Sequence, residues 1–121
     1  MMRALGSIVA CLLACAAGAA RAGQAYSDDV LAMCRIVDAA SRKIMTARQL
    51  GMPMAQVMDL TRNTDNDAVR NLMGMIVVGA YEFPAYRTRD EREQVVADFA
   101  DTAYRECVKI LPEQGWGKPG R

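Results

Sequence analysis

The chain has 121 residues, 15 Lys and Arg against 14 Asp and Glu, four Cys, nine Met and no His. That length suits one domain, and the balanced charge lacks the basic footprint of a nucleic-acid binder. Without His there is no Ser-His-Asp or Cys-His catalytic centre and no imidazole-ligated metal.

Residues 1–22 read as an address. Met1-Met2-Arg3 is a positive start, Ile8 to Leu13 an apolar middle, and Ala20-Arg21-Ala22 a small-residue cleavage site. These are the three parts of a secretory signal peptide. The uncharged run from Ala4 to Ala20 is 17 residues and rich in Ala and Gly, whereas a spanning helix needs about 20 mostly apolar residues. Leu12-Leu13-Ala14-Cys15 resembles a bacterial lipobox, so a lipid anchor at Cys15 is the alternative, at the expense of leaving the Ala20-Arg21-Ala22 site unused. Cleavage after Ala22 leaves 99 residues, a net charge of −1, seven Met, and only Cys34 and Cys107. Two cysteines in an exported chain predict one disulfide. Arg outnumbers Lys 12 to 3, a bias associated with GC-rich bacterial genomes. The expected location is periplasmic or secreted, with no membrane contact after cleavage.

Helical signals fill residues 23–112. Ser27 is a good N-cap, followed by Asp28 and Asp29 where the helix dipole favours negative charge. Val30, Cys34, Val37, Ser41, Ile44 and Arg48 then step by three and four, and Gly51 suits a C-terminal stop. The first helix is predicted over 28–49. Pro53 opens a short second helix with Met54, Val57, Met58 and Thr61 as its apolar side. Turn residues 63–67 lead into a third helix over 67–82, carried by Val69, Leu72, Met73, Ile76, Val77 and Ala80. Gly74 and Gly79 fit that helix if neighbours pack closely over them. Pro84 closes it. Thr88 and Glu91 form a capping box for a fourth helix over 89–111, with Val96, Phe99, Ala103, Cys107 and Ile110 as its stripe and Pro112 as its stop. The remainder, 113–121, has three Gly and one Pro and reads as a disordered tail.

The expected fold is all-α, a compact four-helix bundle. Up-down-up-down topology sets the start of helix one beside the end of helix four. Cys34 and Cys107 then fall level to within about one helical turn, 5.4 Å, and both lie on apolar stripes. A Cys34–Cys107 bond is expected to close the bundle.

Three function classes compete. Catalysis lacks a base for Ser27 or Ser41, and the acids sit beside basic residues, as in Arg89 with Glu93 and Asp101 with Arg105; no enzyme and no cofactor are expected. Thioethers suit Cu(I) or Ag(I), which makes Met52, Met54, Met58, Met73 and Met75 a metal-binding alternative, although Met also fills helical cores well. The third class is protein interaction. Tyr81, Phe83 and Tyr86 crowd a helix–helix corner that leads into Arg87, Arg89 and Arg92, and Tyr, Phe and Arg are enriched at interfaces. Trp116 adds a lone aromatic in the tail. The reading favoured is a small exported binding protein with an unidentified periplasmic partner. A periplasmic chaperone or toxin-immunity protein is a further alternative.

Overall fold

The computed structural model describes residues 26–117. The expected signal peptide, the lipobox Cys15 and residues 118–121 lie outside the described residues. Four helices follow one another: α1 (Asp28–Gln49), α2 (Met54–Thr61), α3 (Asp67–Tyr81) and α4 (Arg89–Glu113). The fold is an all-α four-helix bundle, with no strand among the described residues.

Three of the four helices start where a side chain satisfies an orphan N–H. Ser27 Oγ accepts from Val30 N at 3.3 Å, and Asn66 Oδ1 accepts from Val69 N at 3.1 Å. At α4 the capping box is complete: Glu91 N donates to Thr88 Oγ1, and Thr88 N donates to Glu91 Oε2. α2 starts behind Pro53 and has no side-chain cap. α1 ends as its glycine predicts. Gly51 adopts φ +82°, its N–H donates to Arg48 O, and Met52 N–H donates to Ala47 O, each at 3.0 Å. This is a Schellman motif, which satisfies carbonyls that the helix leaves open.

α4 runs past its expected stop. Pro112 lies inside the last turn, where its missing N–H removes a single helical bond rather than breaking the ladder behind it. The end is a second Schellman motif. Gly115 takes φ +86°, its N–H donates to Pro112 O, and Trp116 N–H donates to Leu111 O, both at 3.1 Å. The first part of the expected tail is therefore structured through residue 117. Trp116 is half-buried against the core. A side chain at Gly117 would collide with Ser27 and meet Val30, so this segment folds back over the start of α1.

α1 is the hub. α4 packs along one flank, α3 along the other, and α2 sits mainly on α3. Val30, Cys34, Val37, Ile44 and Met45 of α1 are buried against Val77 and Ala80 of α3 and Val95, Cys107 and Leu111 of α4. Fully burying a Val or Met side chain contributes about 1.5–3 kcal/mol, so this seam dominates the apolar stabilisation. α3 and α4 themselves meet sparsely. That explains two departures from the expected stripes. Ile110 of α4 is 40% exposed while Leu111 and Val95 are buried, because α4 buries a narrow face against one helix. Met54, expected on the apolar side of α2, is 37% exposed, because α2 covers only part of α3.

The expected bond joins α1 to α4. Cys34 and Cys107 have Cα atoms 5.6 Å apart and enclose a sequence separation of 73. In the chain-entropy treatment a loop of that size destabilises the unfolded state by about 4.4 kcal/mol.

Candidate functional site

The corner between α3 and α4 is built on the end of α1. Arg48 Nε donates to Phe83 O at 2.8 Å, and Gln49 Nε2 donates to Pro84 O at 2.9 Å. Gln49 Oε1 accepts from Tyr86 N at 2.8 Å, and Arg92 Nε donates to Tyr86 O at 2.7 Å. One buried amide thus supplies the donor and the acceptor that a loop backbone needs. The Tyr81 hydroxyl donates to Met52 O, and the Arg48 guanidinium stands 5.1 Å from the Tyr81 ring centroid. Burial raises the Tyr81 phenol above its ordinary value, and the Arg48 charge pulls it partway back.

Beside this corner a groove of about 710 Å³ lies between α3 and α4, with no α1 residue in its lining. Its floor is apolar. The Phe83 and Phe99 rings meet edge to face, 5.9 Å between centroids at 80°, and Tyr86 and Val95 complete the lining. The Phe99 ring stands over α3 at Gly79, where a Cβ would meet Phe99 Cε2 at an ordinary contact distance of 3.7 Å. The rim is acidic. Glu82 stands at the end of α3, and Asp90, Glu91 and Asp98 stand along α4. No Lys or Arg lines the groove. None of the four carboxylates is in an ion pair among the described residues. Asp98 instead accepts the Gln94 amide at 2.9 and 3.0 Å, and Glu91 is turned toward the cap. The groove offers carboxylates over aromatic surface, a combination suited to a cation that also carries apolar groups.

The predicted interaction residues divide. Phe83, 38% exposed, and the half-buried Tyr86 line the groove. Tyr81 faces α1 instead, Arg92 is tied to the corner backbone, and Arg89 pairs with Glu93 at 2.8 Å. Arg87 is exposed. Trp116 belongs to the other end of the molecule, beside the start of α1, a helix of 22 residues that spans about 33 Å. The expected Asp101–Arg105 pair is absent; Arg105 Nη2 approaches Thr102 Oγ1 at 3.5 Å.

The methionines divide as well. Met73 is in the core, whereas Met75, two positions on, is 71% exposed, since residues two apart on a helix face nearly opposite ways. Met52 is half-buried and Met54 exposed. Met58 and Met75 line a second groove of about 700 Å³, bounded by α2 and α3 beside Arg62 and Arg70, which shares Gly79 and Glu82 with the first. Among the described residues no group of three His, Cys, Asp or Glu is placed to hold a metal, and no helix is long and apolar enough to cross a membrane. No family model, curated protein or solved structure matches the chain.

Proposed function

We propose that the chain is a small exported binding protein of the periplasm, without catalytic activity, whose working surface is the α3–α4 groove. The observation that carries this reading is the groove itself: two aromatic rings and an unpaired acidic rim left open beside a corner that Gln49 and Arg48 hold in place. A concave apolar surface with a few fixed polar groups is the usual form of a binding site. Export rests on the N-terminal sequence. A chaperone and an immunity protein are versions of the same reading that differ in the partner held.

Site-specific photocrosslinking tests it. A photoreactive residue replaces Gln94 on the groove rim or Arg35 on the exposed face of α1. The expected result is a discrete adduct in the cell envelope from position 94 and none from position 35. Equal adducts from both positions, or none from position 94, remove the groove from consideration.

A further inference from the structure

We infer that the occupant of the α3–α4 groove is a basic amphipathic helix of the partner protein. The inference rests on the groove being the working surface and adds what that surface recognises.

Charge sets the sign of the occupant. Four carboxylates line the groove and no cation does, although the chain as a whole carries nearly balanced charge. The field is therefore local, and it favours Lys or Arg. The floor sets the second requirement. Phe83, Tyr86 and Phe99 would stay wet beneath a hydrated polycation; an apolar stripe covers them. Shape sets the third. Glu91, Val95, Asp98 and Thr102 line one wall, stepping by three and four over three turns of α4. That wall is about 17 Å long. Gly79 of α3 and Glu82, the residue that caps it, stand opposite. Two helices that meet sparsely leave a wedge, and a third helix laid between them packs its ridges against both. Long basic side chains flanking its apolar stripe then reach the rim while their stems lie on the aromatic floor.

The experiment uses probes of defined chemistry and the mature chain. Four are titrated against isotope-labelled protein: a Leu/Lys amphipathic peptide of about 14 residues, its Leu/Glu counterpart, a Leu/Lys peptide of the same composition with the helical pattern scrambled, and spermine. The Leu/Lys helix is expected to shift amides of Gly79, Val95, Phe99 and their groove neighbours. The scrambled peptide and spermine are expected to bind at least about tenfold more weakly, and the Leu/Glu peptide not at all. The double variant Asp90→Asn/Asp98→Asn is expected to weaken the Leu/Lys helix about tenfold. Raising salt from about 0.05 to about 0.5 M does the same to the unaltered protein, which keeps the test valid should the variant fold poorly. Equal binding by the Leu/Glu or scrambled peptide, or by spermine, overturns the inference. So does a dimer of the free chain that Phe83→Ser dissociates, since the groove would then take a second copy. The two readings fail separately. If position 94 crosslinks a partner and excess Leu/Lys helix does not suppress the adduct, the groove stands and the occupant is wrong. If position 94 gives no adduct, the groove itself fails.

Discussion

The two ends of α1 are fastened by opposite means. Near its start, Cys34 is bonded to Cys107 and Trp116 closes over apolar side chains. At its finish, Arg48, Gln49 and Tyr81 hold the neighbouring chain through hydrogen bonds and one cation–π contact. The neighbours explain the difference. At the first end α1 faces a helix, whose backbone is already satisfied, so side chains and a covalent bond make the join. At the second it faces a loop, whose free N–H and C=O groups demand partners. One end thus depends on an oxidising compartment, and the other does not. The groove opens beside the end that does not.

Four changes probe that contrast. Cys34→Ser, or thorough reduction, removes the covalent fastening and is expected to cost about 4 kcal/mol. For a domain of this size each kcal/mol shifts the melting temperature by about 4–8 °C. An unchanged melt in excess reductant would make the two ends equivalent. Gln49→Leu acts at the opposite end. It leaves Tyr86 N and Pro84 O without their partner and is expected to cost about 2–3 kcal/mol, read from the urea midpoint. A loss under about 0.5 kcal/mol would show that the corner does not need its amide.

Tyr81 gives that end a pH signature. Its phenol titrates higher in the folded chain than in the unfolded one, where the value is about 10. Its contribution is therefore complete below pH of about 10 and declines as pH rises toward the folded value. Tyr81→Phe is expected to cost about 1 kcal/mol at neutral pH and to flatten the alkaline decline. Parallel alkaline curves for the two proteins would deny Tyr81 that role. The smallest effect lies between the ends. Ser41 is fully buried and its hydroxyl has no partner among the described residues. Ser41→Ala is expected to raise stability by up to about 1 kcal/mol, measured by denaturant titration. A loss of stability would mean the hydroxyl has a use.

Local chemistry made much of the fold legible. Ser27, Thr88 and Gly51 announce helix ends through local contacts, and those ends fall where expected. The disulfide followed from two cysteines and antiparallel helices. Pro112 misled because a proline in a last turn removes little, whereas Gly115 followed by Trp116 carried the true stop signal in plain view. The site was less legible. Gln49 reaches residues 35 and 37 positions away, and nothing in its neighbourhood of sequence marks it as buried. Phe83 and Tyr86 were flagged by their crowding, but the acidic rim was not. Asp90, Glu91 and Asp98 look like an ordinary solvated face until α3 is seen standing opposite. The groove is a property of how far apart two helices rest, which no periodicity within either one encodes.

The Cys34–Cys107 bond has a topological consequence. It ties the chain into a ring that holds α2, α3, the corner and the groove. The exposed links at 62–63 and 82–85 both lie on that ring. A protease that cuts the ring once, after Arg62 for example, opens it without releasing a fragment. The nicked product keeps its mass on a non-reducing gel and separates into two pieces only after reduction. Where proteases are present, one scission would leave the groove attached to its frame.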